Sequence, residues 1–467
     1  MVFSSLYFLF VFLPLAFLLY FITPVKYRNY TLLVESLFFY SFGEGKLVIL
    51  LMFSSVFNYY VAKWIQKERK KGILLSLVVN LGILFCFKYL NFTLNNIIWM
   101  FGLLHIYCPI PVLNIILPIG ISFYTFQALS YCIDVYYGKV EPSQKYINFA
   151  TYLCMFPQLV AGPIVRYTDI EKQMDDRHAK LDRIASGVER FIIGLGKKVL
   201  IANTMAGVVD GIFEMQVNDL SSSMAWVGIL AYTFQIFFDF SGYSDMAIGL
   251  GRIFGFEFLE NFNYPYIAKS VKDFWRRWHI SMSSWFKDYL YIPLGGNRLG
   301  NVRTYINLSI VFIVTGFWHG ASWHYIAWGM FHGFFLVIER IGFGKVLEKI
   351  PVVFQHLYTL LVVTIGWVFF RSNTTAQAFG YIKKLFSFSS GSPETIWQAN
   401  MLVTAFELVV FILAIFFSLP LAKKWLERHA NNIYVQWGWM FILLMIFVCS
   451  VVFINSSGYN PFIYFRF

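Results

Sequence analysis

The sequence predicts an all-α, multi-pass membrane protein with about 11 spanning helices and one or two re-entrant helices. Of its 467 residues, 58% are hydrophobic and 13% are charged, whereas soluble domains carry about 25% charged residues. Long runs also lack any charged residue, among them 1–25, 89–133, 304–338, 351–370 and 433–465. The alternating pattern of a membrane β-barrel is missing from these runs, so the spanning elements are expected to be helices.

The first apolar run is interpreted as a spanning helix, because it lacks the basic start and the cleavage site of a secretory signal. Lys26 and Arg28 follow it directly, and further basic residues follow the third run at 67–71. Basic loops favour the cytoplasmic side, so the N-terminus is expected outside the membrane. The net charge of +12 agrees with that asymmetry. No compact basic domain is present to favour nucleic acid as a partner.

A single integral-membrane domain is expected over residues 1–467. Its one long polar stretch, 166–190, has 12 charged residues of 25 and is predicted to be a cytoplasmic loop with an amphipathic helix near 179–192. Proline and glycine interrupt the central apolar runs at Pro109, Pro111, Pro118, Gly120, Pro157, Gly162 and Pro163. Such breaks need protein or water around the freed backbone groups, and they indicate a central funnel or cavity.

The segment 271–298 combines tryptophan with arginine and is predicted to be an amphipathic, re-entrant helix. One helical face carries Trp275, Trp278, Met282 and Trp285, and the other carries Arg276 and Arg277. Two interpretations stay open. The segment could anchor the protein at the membrane interface, or its arginines with Lys287 could attract an anionic ligand such as a phosphate.

Three of the eight histidines, His319, His324 and His332, lie within the 35 uncharged residues 304–338. A histidine in such a segment is a functional candidate, and its near-neutral pKa suits proton abstraction from a hydroxyl. Gly316 and Gly320 flank Trp318 and His319 and permit a close approach by backbone or substrate. Packing is the favoured interpretation for His324 and His332. A metal site is not expected, because the spacing is poor and no carboxylate is near in sequence.

The stretch 238–251 places Asp239, Tyr243 and Asp245 in an otherwise apolar region. Intramembrane carboxylates face an interior or a wet cavity. They are interpreted as struts between helices, or as groups that line a tunnel or orient a histidine. Transporters use similar residues, which keeps that class open. The sequence contains no GxxxxGK[ST] motif, so an ATP-driven pump is not expected. It also lacks GxSxG and HExxH motifs, so direct transfer assisted by a histidine base is the simpler chemistry.

Several blocks resemble the membrane-bound O-acyltransferase family, in the branch that holds the membrane subunit of bacterial alginate O-acetylation. They are residues 117–138, 156–166, 237–251, 274–298, 315–329 and 460–467. The resemblance implies a funnel and tunnel across the membrane, with His319 as the catalytic residue and His279 as the second family histidine. It implies acetyl-CoA as the cytoplasmic donor and no bound cofactor. A low-dielectric tunnel would keep water from the thioester.

The expected function is therefore O-acetylation of an extracytoplasmic polysaccharide of the alginate, peptidoglycan or cellulose type, from the bacterial inner membrane. A periplasmic transferase of the SGNH/GDSL type is the expected partner. His319 is predicted to act as general base, with His279 positioning the thioester or assisting it. Donor contacts are expected from Arg276, Arg277, Trp278, Trp318 and Trp323. Alternatives are D-alanyl transfer to teichoic acid, a transporter or flippase of a lipid-linked sugar, and a scaffold for the periplasmic transferase.

Overall fold

A computed structural model describes residues 2–109, 111, 113, 115–160, 162–177, 180–458 and 463, and this part of the chain contains helices but no strand. The α-helices are α1 (Leu13–Ile22), α2 (Arg28–Glu44), α3 (Val48–Lys67), α4 (Arg69–Leu84), α5 (Leu90–Leu103), α6 (Ile121–Tyr137), α7 (Tyr146–Cys154), α8 (Phe156–Leu159), α9 (Tyr167–Asp175), α10 (Leu181–Gly196), α11 (Asn203–Glu214), α12 (Ser222–Ile253), α13 (Val271–Arg277), α14 (Ile280–Phe286), α15 (Gly300–His319), α16 (Trp323–Ile338), α17 (Gly344–Leu347), α18 (Val352–Arg371), α19 (Thr375–Leu385), α20 (Pro393–Leu402), α21 (Ala405–Phe417), α22 (Leu421–Arg428) and α23 (Ile433–Ser457). Short π-helical turns occur at Phe8–Phe12, Phe85–Tyr89, Lys197–Ala202, Lys287–Tyr291 and Glu339–Phe343.

The predicted class, a helical multi-pass membrane protein, is confirmed. Seven helical segments of the described chain are long and apolar enough to cross a membrane, or eight if the bent pair α20–α21 forms one span. This number is below the expected 11 or so for two reasons. Adjoining helices such as α2 and α3 form one continuous segment, Val25–Lys67. Apolar runs are also divided into shorter helices: the run 89–133 is split into α5 and α6, with Pro109, Pro111 and Pro118 between them.

One compact unit comprises Met1–Gly187 with Leu250–Leu259. Helix α6 is buried along almost its whole length, from Ile121 to Val135. Helices α3 and α4 of this unit are joined by two reciprocal amide hydrogen bonds between Asn58 and Asn80, of 3.0 and 2.8 Å. Paired amides satisfy each other in an apolar interior, where an unpaired polar group would be costly.

The polar stretch 166–190 is mostly helical. Its first helix, α9, begins where the Asp169 carboxylate accepts the backbone N–H of Arg166 at 3.0 Å. Arg177 follows α9 and is buried, and it donates to the Tyr20 hydroxyl at 2.9 Å and to the Asn29 side chain at 2.6 Å. Residues 178 and 179, at the start of the predicted amphipathic helix, lie outside the described residues, and α10 begins at Leu181.

The second unit comprises Val188–Gly249 and Glu260–Phe467. Its helices α15 and α16 cross closely because Gly316 and Gly329 face each other. A methyl group on Gly316 would overlap the Tyr325 carbonyl oxygen, and one on Gly329 would overlap the Phe312 carbonyl oxygen. At Gly320 the added methyl would meet the Tyr325 ring. The close approach predicted at Gly316 and Gly320 is thus made by the protein itself.

Candidate functional site

A small cavity in the second unit has His319 in its wall. Its volume is about 20 Å³, which is room for about one water molecule. Helices α12, α15, α16 and α18 contribute to the wall, together with the residue that follows α13. The lining residues are Ile236, Asp239, Phe240, Trp278, His319, Trp328, Trp367, Phe370 and Ile463. The site is therefore narrow and mainly aromatic.

His319 is the last residue of α15, and Gly320 leaves the helix in an extended conformation. The imidazole is 6% exposed. Its ring centroid lies 5.0 Å from that of Trp318, 5.1 Å from Trp328 and 5.1 Å from Phe370. Three aromatic rings thus fix the position of the imidazole and surround it with apolar surface, which strengthens electrostatic interactions and excludes water.

Asp239 brings a carboxylate to the same cavity from the middle of α12. Its Oδ1 lies 2.6 Å from Nζ of Lys198, and both side chains are 2% exposed. Its Oδ2 accepts the backbone N–H of Ile463 at 2.9 Å. Of the two aspartates identified in the sequence, Asp239 is therefore the one that the structure places beside His319.

Asp245 lies two turns further along α12 and does not line the cavity. It forms ion pairs of 2.6 Å with Arg190 and with Lys197. Arg190 also binds Glu260 at 2.6 Å. Asp245 is thus a strut in a charged cluster. Tyr243 is buried nearby but is likewise absent from the cavity wall.

The single amphipathic helix predicted within 271–298 is wrong, because the structure has two short helices, α13 and α14. The break has a non-local cause. The backbone N–H of Ile280 binds the Asn261 carbonyl at 2.9 Å, and the Arg277 carbonyl accepts the N–H of Asn263 at 2.9 Å. These bonds to an adjacent segment replace helical ones, and His279 between them adopts a left-handed conformation with φ of +43°. Such a conformation is uncommon for a residue other than glycine.

His279 is fully buried. Its ring centroid lies 4.5 Å from that of Phe240, which is a residue of the cavity wall, and 6.4 Å from that of Trp318. Its Nδ1 lies 3.1 Å from the side-chain oxygen of Asn261. Burial lowers the pKa of His279 to about 3, so the imidazole is neutral at physiological pH. The structure therefore brings the two predicted histidines into one aromatic cluster.

The predicted donor-binding residues are divided between the cavity and the surface. Trp278 lines the cavity and Trp318 is buried against His319, but Trp323 is 57% exposed. Arg276 is exposed. Arg277 is half-buried and pairs with Asp273 at 3.1 Å.

The tryptophan face of 271–298 is buried in protein. Trp275, Trp278 and Trp285 are each less than a tenth exposed. A membrane anchor would instead turn these rings to the lipid interface, so the anchor interpretation does not fit.

The remaining histidines of the 304–338 run pack in the interior. His324 Nδ1 lies 3.1 Å from the Phe369 carbonyl oxygen. The His332 ring lies 5.2 Å from both Trp275 and Trp328. Within the described part of the chain, no group of three or more His, Cys, Asp or Glu side chains is placed to hold a metal ion.

Several residues of the site were not identified from the sequence. They are the wall residues Phe240, Trp328, Trp367 and Phe370, the ion-pair partner Lys198, and Asn261 beside His279. Lys198 could have been recognised from the sequence, because it is a charged residue in a long apolar helical stretch. The aromatic wall residues could not be recognised in this way, because aromatic residues make up 21% of the chain and do not stand out.

Several known proteins are similar to this chain. The chain is 40% identical to a probable alginate O-acetylase of Pseudomonas putida, with all of both chains covered. It is 37% identical to the peptidoglycan O-acetyltransferase of Helicobacter pylori, over 82% of this chain and 79% of the relative. It is 30% identical to the teichoic acid D-alanyltransferase of Streptococcus thermophilus, over 49% of this chain and 58% of the relative.

The family model of the membrane-bound O-acyltransferases matches residues 142–370. This range contains both histidines of the aromatic cluster and most of the cavity wall. The full-length relatives extend the similarity to the whole chain. The protein is therefore an acyltransferase and belongs to the membrane-bound O-acyltransferase family.

Proposed function

We propose that this protein takes an acetyl group from cytoplasmic acetyl-CoA and passes it across the bacterial inner membrane for O-acetylation of an extracytoplasmic polysaccharide. The observation that carries the proposal is His319 at the end of α15, in the wall of a cavity that is otherwise mainly aromatic. The relatives that match over most of their length are acetylases of alginate and of peptidoglycan, which supports acetyl as the transferred group.

The proposed reaction is direct transfer from a thioester to a hydroxyl. The hydroxyl oxygen bonds to the acetyl carbon, the carbon–sulfur bond breaks, and the proton of the hydroxyl is received by an imidazole of the site before it reaches the leaving thiolate. Proton transfer by a positioned side chain contributes about 10²–10⁴-fold to such reactions. The aromatic wall around His319 would keep competing water away from the thioester.

The proposal includes a separate periplasmic transferase of the SGNH type, which would receive the acetyl group and deliver it to the polysaccharide. Support comes from the resemblance of the blocks around His279 and His319 to the alginate branch. Acetylation of polysaccharide by whole cells is then expected to require both proteins. Consumption of acetyl-CoA with a soluble hydroxyl acceptor requires this protein alone.

Two rival functions are less well supported. D-alanyl transfer rests on a relative that matches about half of this chain. A transporter or flippase was suggested by Asp239 and Asp245, but both carboxylates are engaged in ion pairs, with Lys198 and with Arg190 and Lys197. Structural struts account for these aspartates without a transported ion.

The experiment supplies acetyl-labelled acetyl-CoA to lipid nanodiscs that hold the protein, and follows release of free CoA and label in the acceptor. His319→Ala is expected to abolish transfer, whereas the matched control His324→Ala, a buried histidine outside the cavity wall, retains it. Transfer that continues in His319→Ala would contradict the assignment. Movement of a lipid-linked sugar without thioester consumption would replace it with the flippase, and transfer of D-alanine but not acetate would select the teichoic acid reaction.

A further inference from the structure

The outward face of α3, in the first compact unit, carries a groove of about 340 Å³. This volume lies within the range of about 300–1,000 Å³ that is usual for ligand sites. Spacings of three and four residues place its lining side chains on one side of the helix. Among the described residues, those that line the groove all belong to α3 and are Phe53, Val56, Phe57, Tyr60, Val61 and Trp64. The groove is therefore a largely aromatic strip along the helix axis.

Most side chains of the groove are exposed. Tyr60 is 64% exposed and Phe53 is 48% exposed, and the rings of Phe53 and Phe57 stack with their centroids 5.8 Å apart. Another face of α3 is buried, and there Asn58 exchanges amide hydrogen bonds with Asn80 of α4. Helix α3 thus uses one face to hold the fold together and presents the aromatic strip to its surroundings.

The length of the groove matches one leaflet of a membrane. From Phe53 to Trp64 the helix rises about 17 Å, whereas the hydrocarbon core of a bilayer is about 30 Å thick. A spanning helix from another chain would need a contact surface across the whole core. A groove of about half that length instead fits the acyl chain of a lipid. Tyr60 and Trp64 lie toward one end of it, as expected for the aromatic belt at a membrane interface.

Basic residues follow the groove at that same end. Lys67 is the last residue of α3 and lies three residues beyond Trp64, so it shares the face of the groove. Lys70 follows after the turn at Glu68. Both lysines are exposed, and neither forms an ion pair within the part of the chain that the structure describes, whereas Lys71 pairs with Glu68 at 3.3 Å. Two positive charges without a counter-charge thus lie at the end of an apolar strip.

We propose that this groove binds an anionic phospholipid of the cytoplasmic leaflet. One acyl chain lies along Phe53, Phe57 and Tyr60. The headgroup phosphate lies against Lys67 and Lys70. Basic residues beside a spanning helix are typical of the cytoplasmic side and attract anionic headgroups. A neutral lipid would cover the aromatic strip but leave both lysines without a counter-charge. Lipid binding at α3 is independent of which group the protein transfers.

Native mass spectrometry of the full-length protein in detergent tests the site with defined lipids. Phosphatidylglycerol is the anionic probe, and phosphatidylcholine with the same acyl chains is the neutral one. The anionic probe is expected to bind more tightly. Replacing both lysines, by Lys67→Gln with Lys70→Gln, is expected to weaken its binding about 30-fold, which is about 2 kcal/mol at about 1.4 kcal/mol per tenfold change. The matched control, Lys423→Gln with Lys424→Gln, removes two exposed lysines of α22 and retains the affinity.

A second variant fills the groove and keeps both lysines. Val56→Trp is expected to weaken phosphatidylglycerol binding, whereas Val448→Trp, at a similarly exposed position of α23, leaves it unchanged. Wild-type affinity in Val56→Trp would overturn the groove as the site. Equal affinity for the two lipids, or no loss in the lysine variant, would overturn the anionic class. Displacement of the lipid by glycerol 3-phosphate at equal concentration, or capture of another protein by a photoreactive cross-linker at position 60, would overturn a lipid as the occupant.

Discussion

Loss of either Lys198 or Asp239 alone is expected to destabilise the protein, whereas replacement of both by apolar residues is expected to be tolerated. The two charged groups are 2.6 Å apart and each side chain is 2% exposed. At an effective dielectric constant of about 20, this separation corresponds to an attraction of about 6 kcal/mol. Much of that is offset by the cost of removing both charges from water. Loss of one partner leaves the other charge buried without its counter-charge, although Lys198 still donates to the Asn203 side chain and Asp239 still accepts from the Ile463 backbone.

Lys198→Met and Asp239→Leu are therefore each expected to destabilise the protein by about 3–5 kcal/mol, as is found for broken buried pairs. The double variant, with two apolar side chains in contact, is expected to recover most of the loss. Residual destabilisation is expected from the Ile463 backbone N–H, which loses its acceptor in Asp239→Leu. The double variant thus separates the cost of an unpaired charge from the value of the pair.

Thermal unfolding in detergent micelles, followed by tryptophan fluorescence, measures these differences. Lys423→Met is the control, because its 3.9 Å pair with Glu427 is mostly exposed, and such pairs contribute little. A Lys198→Met variant as stable as the wild type would refute the reasoning, since the carboxylate would then be tolerated alone. A double variant no more stable than the single ones would show that the ion pair itself, rather than charge balance, stabilises this region.

Gly329→Val is expected to abolish the yield of folded protein in size-exclusion chromatography, because its side chain would overlap the Phe312 carbonyl in the contact between α15 and α16. The control Gly438→Val, which has open space around it, is expected to be tolerated. Equal yields of the two variants would contradict the contact. Arg276→Ala is expected to raise KM for acetyl-CoA several-fold and to leave kcat unchanged. The reason is that an exposed arginine would bind the donor phosphate equally in the ground state and the transition state. An unchanged KM would exclude that contact. His332→Leu is expected to retain acetyl transfer and melting temperature, because both imidazole nitrogens lack hydrogen-bond partners among the described residues; loss of transfer would assign the residue a function.

The membrane class and His319 could be predicted because polar residues are scarce in this chain, whereas His279 was identified only through the family resemblance. A histidine or aspartate in an uncharged run stands out when only 13% of residues are charged, and His319 and Asp239 were identified on that basis. Scarcity does not separate site residues from struts, however. Asp239 and Asp245 look alike in sequence, and only their partners from other helices, Lys198 and Arg190, distinguish the cavity wall from the charged cluster.

The break at His279 could not be predicted from local pattern. The spacing of Trp275, Trp278 and Trp285 fits one helix, and no proline or glycine interrupts 271–286. The two helices arise because residues 261–263 compete for the backbone groups of 277–280, which is a tertiary effect. Hydrophobicity also does not tell lipid from protein interior, so the same tryptophans were compatible with an interfacial anchor. Their burial decides the question.

His279 and His319 reach one aromatic cluster by different physical routes, and this difference determines which residues support each of them. His319 ends α15, so its position depends on the glycine contact between α15 and α16 and on the rings of Trp328 and Phe370. His279 depends instead on hydrogen bonds to Asn261, whose side-chain oxygen contacts its ring and whose backbone carbonyl binds the next residue, Ile280. The position of His319 is thus sensitive to the packing of whole helices, whereas that of His279 is sensitive to a few polar contacts with residues 261–263. A substitution that separates α15 from α16 is therefore expected to displace His319 from the cavity wall, whereas loss of the Asn261 side chain is expected to displace the ring of His279 behind Phe240.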